Sequence, residues 1–384
     1  MRNISRRRFL LAGLTASSAL ALGAGAYLFL PRLLTAARLL PLCTREFDMT
    51  GTVNTVAWSP DSHAFAAGGA SGQATIWRAS DGQQLATLLP PTSHAGVWSV
   101  AWSPNSQYFA IAWSDGRVSI WKVQAVNDFS HWHQESVLLI SPTLSVLPIP
   151  SFWPMIVTWS PDGTRLAVGD SAGGLHLWDP STGQMLHMLQ ASRNKPGIPV
   201  SSLAWSPDGT KIVALDVAAG AYAIWSTTTG KAMLLPSQHR IPIRVGWWNN
   251  MMALGWSPDG TIIAASAGGN LLLWQWKPEK REWEYTRSMP VASWRITSLT
   301  WSPDSKRFAT ADRDNTIRFW RASTGQQLGS YSVSPPQVGN LDSDSRAQGY
   351  MDTDFQVNAV AWAPGGKYLL SGDYAGRVLL WEIH

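Results

Sequence analysis

The sequence is poor in the residues that most often mark chemistry. It has one cysteine, Cys43, in 384 residues, which excludes an internal disulfide and any cysteine-based metal pattern. Its eight histidines are His63, His94, His131, His133, His176, His187, His239 and His384. Only His131 and His133 lie close together, in "HWH". On a strand both would face one side, but Glu135 is the one further ligand type nearby, so a solvated loop is the better reading than a metal site. There is no G-x-S-x-G elbow and no glycine-rich phosphate loop ahead of a helix. Nothing points to an enzyme, a resident metal or a cofactor, and a non-catalytic chain is expected.

An excess of charge is also missing once its position is considered. The net charge is +5, yet residues 1–40 hold six arginines (Arg2, Arg6, Arg7, Arg8, Arg32, Arg38) and no acid. The remainder holds 24 basic and 25 acidic residues, a net of about −1. That body has no electrostatic footprint for a phosphate backbone, so nucleic acid is not expected as a partner.

What is abundant is tryptophan, 23 in all, and its arrangement is periodic. Trp58, Trp102, Trp159, Trp205, Trp256, Trp301 and Trp362 each open a turn such as "WSPDS", "WSPDG" or "WAPGG". Ser-Pro-Asp-Gly suits a type I turn: serine bonds back to the backbone, proline presets φ, and glycine accepts what the last position needs. Alternating stretches flank it, such as "VNTVAW" before and "RLAVGD" after, so each unit is at least a hairpin. A second tryptophan follows 18 to 20 residues later: Trp77, Trp121, Trp178, Trp225, Trp274, Trp320 and Trp381. Three strands therefore repeat in register, and the residues between units can supply a fourth.

The unit V-x-x-V-A-W-S-P-D-G … I-W … T-G resembles the WD40 repeat. "WSPDG" alone is also similar to the repeats of TolB-like propellers, and the closing "IW" favours WD40. The resemblance implies an all-β, seven-bladed propeller over residues 41–384. Blade cores fall at about 53–78, 97–122, 154–179, 200–226, 251–275, 296–321 and 357–382. The last unit ends after its third strand, and an open edge is avoided in soluble sheets. "CTREFDM" (43–49) is the expected spare strand, closing the ring from the N-terminal side. The chain departs from the family pattern: the Trp-Asp dipeptide survives only at Trp178-Asp179, and the buried Asp-His-Ser/Thr-Trp network is expected to be mostly absent.

Residues 1–40 read as a targeting segment. "SRRRFLL", with Arg6, Arg7 and Arg8, is similar to the twin-arginine export motif of bacterial proteins. The 22 uncharged residues Phe9 to Leu30 would span about 33 Å as a helix, enough to cross a bilayer core. Ala24 to Ala26 is a candidate cleavage site. A Sec-type signal anchor gives the same topology. The expectation is an exported, bacterial propeller, held at the cytoplasmic membrane on its outer side by a hydrophobic helix, or secreted if the segment is cleaved.

Fourteen tryptophans belong to the repeat and are assigned to packing between blades. Nine do not: Trp98, Trp113, Trp132, Trp153, Trp247, Trp248, Trp276, Trp283 and Trp294. Tryptophan is enriched at binding hot spots. In a WD40-type blade, the start of strand one and the end of strand two meet on the top rim. Aligned there are Asn54, Trp98, Met155, Ser201, Met252, Thr297 and Asn358, and, on strand two, Gly69, Trp113, Asp170, Val217, Ser266, Asp312 and Asp373. The expected site is thus Trp98 and Trp113 as apolar anchors, with Met155, Met252, Asp170, Asp312 and Asp373 around them, on a monomeric propeller that binds an unidentified protein. The alternative is a small-molecule-sensing or enzymatic propeller using the same central funnel.

Overall fold

The computed structural model describes residues 42–90, 95–123, 133–139, 154–190, 199–216, 219–236, 253–267, 269–291, 295–333 and 356–383. These form seven four-stranded antiparallel sheets, arranged as the blades of a propeller. Blade 1 runs Val53–Trp58, Ala64–Gly69, Ala74–Arg78 and Gln84–Leu88 from the axis outward. The inner strands of blades 2 to 7 are Val97–Trp102, Pro154–Trp159, Leu203–Trp205, Leu254–Trp256, Ile296–Trp301 and Val357–Trp362. Each ends on its turn tryptophan.

The ring closes through both chain ends. Leu42–Asp48 pairs antiparallel with Arg377–Glu382, the third strand of blade 7, and supplies that blade's outer strand. The outermost strand of the last blade is thus the first strand of the chain, as closure demands. The N-terminal helix expected over residues 9–30, Arg6 to Arg8 and the cleavage site at Ala24 to Ala26 lie outside the described residues.

The repeated turn is built on a serine. In the first six blades Ser59, Ser103, Ser160, Ser206, Ser257 and Ser302 donate their hydroxyls to Asp61, Asn105, Asp162, Asp208, Asp259 and Asp304. The same hydroxyls accept a backbone N–H five residues on, for example Lys211 N–H to Ser206 at 2.9 Å. Blade 7 has Ala363 there and keeps only the backbone bonds, from Ala363 N–H to Tyr368 and from Gly366 N–H to Ala363, both 2.8 Å. The fourth turn residue is left-handed throughout: φ is 60° at Ser62, 57° at Ser106, 71° at Gly163 and 76° at Gly366. This is why glycine recurs at that place.

Packing is organised by seams rather than by one central core. Each of the seven boundaries between neighbouring blades holds one hydrophobic cluster. The seam between blades 7 and 1 collects Phe47, Val53, Val56, Trp58, Phe65, Trp77, Leu370 and Val378. Phe65 stacks on Trp77 at 5.4 Å. All the repeat tryptophans are buried except Trp121, which is half-buried. Burial of such surface contributes about 25 cal/mol per Å². Part of the family's hydrogen-bond network survives: Trp320 donates to Thr310 at 3.0 Å and Trp381 to Ser371 at 2.9 Å, each from strand three to strand two.

Candidate functional site

The inner strands converge on the axis and leave a funnel at the top of about 630 Å³. Its wall is made by the first residues of the strands one and the residues just after the strands two. Asn54, Trp98, Met155, Ser201, Thr297 and Asn358 all line it, as the repeat alignment requires. Met252 lies outside the described residues.

These six positions do not do the same thing. In three blades the side chain is spent on the neighbouring blade. Asn358 donates to the Val53 carbonyl at 2.9 Å, Asn54 to the Val97 carbonyl at 2.8 Å, and Thr297 to the Val357 carbonyl at 2.5 Å. A chain of polar locks therefore runs from blade 6 through 7 and 1 to 2. At blades 2 and 3 the same place holds Trp98 and Met155. Met155 has no donor for such a lock, and Trp98 does not make one. Trp98 is half-buried, and its buried indole N–H has no acceptor among the described residues. Met155 is 8% exposed.

The strand-two residues behave differently from the expectation. Trp113 lines no funnel. It is completely buried between blades 1 and 2, and its indole N–H donates to Ser119 at 2.7 Å. It is a packing residue, and its assignment as an exposed anchor is corrected. Asp170, Asp312 and Asp373 are buried too, and each turns toward its own strand three. Asp170 meets His176 at 2.6 Å and accepts N–H bonds from Ala172 and Gly174. Asp312 pairs with Arg318, which also holds Asp314. Asp373 pairs with Arg377 at 2.7 Å. Burial raises the carboxyl of Asp312 to about 7 against the pull of Arg318, and raises that of Asp373 against Arg377. These aspartates brace hairpins and are not offered to a partner.

The residues that do face the funnel stand one place later: Ala70, Ser114, Arg313 and Tyr374. A one-residue step along a strand changes the face that a side chain occupies, and here it separates brace from lining. The sequence carried a signal of this. Trp113, Asp170 and Asp312 each have a polar partner six residues on, at Ser119, His176 and Arg318, across the hairpin. Arg295, two residues ahead of Thr297, was also missed; with Arg313 it makes blade 6 the basic side of the funnel. Among the described residues that line it there is no carboxylate.

The WD40 family model, described as "WD domain, G-beta repeat", matches residues 42–78, 82–122, 283–321 and 348–382. The chain carries WD40 repeats. The ribosome biogenesis protein WDR12 homologs of Drosophila yakuba and Drosophila erecta are 25% identical to it over 160 residues, and that of Drosophila persimilis is 24% identical over 167 residues. Each alignment covers 42% of this chain and 36% of the relative, so the chain spans little more than a third of the length of the curated relatives it matches. WD40 propellers are typically protein-binding.

These findings correct the expected placement. The relatives are named for ribosome biogenesis rather than for export. Among the described residues, no helix is long and apolar enough to cross a membrane. An exported, membrane-held, bacterial propeller is therefore not carried forward.

Proposed function

We propose that this propeller is a non-catalytic scaffold that docks a protein partner in its top funnel. The carrying observation is the break in the polar lock. Blades 6, 7 and 1 spend their funnel residue on the next blade, whereas blade 2 presents the half-buried Trp98 beside the nearly buried Met155 of blade 3. Tryptophan gains most from a partner's apolar surface and costs little entropy to order. A scaffolding role is consistent with the matched relatives being named for ribosome biogenesis.

The test is affinity capture from cells of the source with the wild-type chain and Trp98→Ala, both verified as folded. Proteins retained by the wild type and lost from the variant support the reading. Identical protein lists would overturn it. A small molecule that co-purifies with the wild type and is released by Trp98→Ala would instead favour the ligand-sensing alternative.

A further inference from the structure

Among the described residues, six large apolar side chains stand exposed: Leu89, Met185, Leu186, Met188, Met233 and Leu234. Five of them lie on two neighbouring outer strands. Met185, Leu186 and Met188 belong to Gln184–Gln190, the edge of blade 3, and Met233 and Leu234 to Ala232–Leu234, the edge of blade 4. The turn leading into the blade 4 edge approaches the blade 3 edge: a Cβ placed on Gly230 would sit 3.9 Å from Leu189. The strand order leaves the outer edge of each without a partner in its sheet.

Other blades manage this edge. The outer strand of blade 5, Glu282–Pro290, carries Glu282, Glu284 and Arg287. That of blade 7 carries Arg45, Glu46 and Asp48. In blades 1 and 6 the corresponding leucines, Leu85 and Leu328, pack against the seam clusters. In each of these blades, and in blade 3, the register skips one residue at this point; in blade 3 the skipped residue is Leu186, which is 42% exposed. Charge and inward packing are the usual protections of an edge. Along 184–188 the edge of blade 3 has neither; only Leu189, where the register skips a second time, turns inward.

Its sequence also selects an occupant. Gln184-Met185-Leu186-His187-Met188-Leu189-Gln190 has the same classes of residue read in either direction, with His187 at the centre. Antiparallel pairing with a second copy about His187 sets Gln184 opposite Gln190, Met185 opposite Leu189 and Leu186 opposite Met188. No formal charge meets its like, and the exposed Leu186 and Met188 meet across the axis, with Met185 over the chain beside the inward-turned Leu189. A twofold contact uses the same patch on both copies, which requires this kind of self-complementarity. We propose that the outer edge of blade 3, widened by Met233 and Leu234 of blade 4, is a homodimer interface in which two copies pair strand Gln184–Gln190 antiparallel about His187. This replaces the monomer expected from the sequence, and it does not depend on the funnel.

Residue 187 alone would meet its own copy across the twofold axis, which gives a specific test. The single cysteine is buried and can be replaced. In full-length Cys43→Ser/His187→Cys, copper-catalysed oxidation should form an intermolecular disulfide at least ten times faster than in Cys43→Ser/Gln184→Cys. In the proposed register residue 184 is displaced from its copy by six residues, about 20 Å. Equal rates, or no cross-link in either, would overturn the proposal, and association through any other surface gives one of those results. As a second readout, Leu186→Lys/Met188→Lys should raise the dimer dissociation constant at least tenfold in sedimentation, with an unchanged circular dichroism spectrum. An unchanged constant would also overturn it.

Discussion

Asn358 and Val53 are 305 residues apart in sequence and joined by one hydrogen bond at the axis, from the Asn358 amide to the Val53 carbonyl at 2.9 Å. This bond spans the seam where the chain closes on itself. Blade 7 and blade 1 are held there by the apolar cluster around Phe47, Trp58 and Phe65 and by a few polar contacts of this kind, such as Trp58 to the Ala361 carbonyl at 3.2 Å. Asn358→Ala removes the donor and leaves a partly buried carbonyl to find water. The expected cost is about 0.5–1.5 kcal/mol in urea denaturation. Asn358→Asp should cost more, because an acceptor then faces an acceptor. A loss confined to the closure seam would appear as faster amide exchange in Leu42–Asp48 and Val53–Trp58 than in the inner strand of blade 3.

The left-handed turn position gives the opposite sign. Ser62 and Ser106 hold φ of 60° and 57°, where five other copies of the turn include four glycines and Ser305. A left-handed conformation costs an L-residue about 1–2 kcal/mol, offset in part by the greater freedom glycine has in the unfolded chain. Ser62→Gly and Ser106→Gly should each stabilise by about 0.5 kcal/mol, read as a raised urea midpoint. Ser305→Gly should gain less or nothing, because the Ser305 hydroxyl accepts the Asp259 N–H at 3.0 Å.

These two sites show what the sequence could and could not carry. Serine or glycine at the end of each turn was legible, since the turn recurs and its chemistry is local. So were the strands: tryptophans 18 to 20 residues apart fix the blade register, and the closing strand followed from a missing edge. Asn54, Met155 and Asn358 reached the funnel because strand-one starts converge on the axis in any propeller. Trp113, Asp170, Asp312 and Asp373 did not. Their place along strand two was right, but the side on which each side chain emerges depends on a one-residue parity that the repeat alignment does not encode. The bare edge of blade 3 was illegible for a similar reason. Leu85, Leu186 and Leu328 hold matching positions, and only packing against the next blade decides which is covered.

Gly68 and Gly372 hold matching positions in strand two of blades 1 and 7, where a valine of the next blade presses on the backbone. A Cβ on Gly372 would overlap the Val53 side chain, and one on Gly68 that of Val97. Neither glycine has a positive φ, so the requirement is space. Blade 2 has Ala112 at the same place. Gly372→Ala should therefore cost about 1–3 kcal/mol, the range for overpacking a filled core. Gly372→Ala combined with Val53→Ala should recover part of that loss. A double variant no more stable than Gly372→Ala would show that the strain lies elsewhere.

Asp312 predicts a pH dependence whose sign separates it from the turn aspartates. Burial raises its carboxyl from 3.8 to about 7, Arg318 pulling the other way, and its Oδ1 has no donor among the described residues. The folded protein then holds a proton that the unfolded chain releases near 3.8, so between about pH 4 and 7 the folded state binds more protons. Stability must fall as pH rises through that window, by at most about 1.4 kcal/mol per pH unit from this group. Asp162, Asp208 and Asp259 run the other way. Burial opposes them, but the serine hydroxyl and backbone N–H bonds outweigh it and hold each carboxyl below its usual range. Their contribution is present above the unfolded value near 3.8 and is lost as pH falls below it. Asp312→Asn removes only the first effect, and Arg318 keeps Asp314. In urea denaturation at pH 5, 6, 7 and 8, the wild type should lose stability from pH 5 to 7 relative to Asp312→Asn and run parallel to it above. Parallel curves over the whole range would mean that Arg318 keeps Asp312 ionised despite its burial.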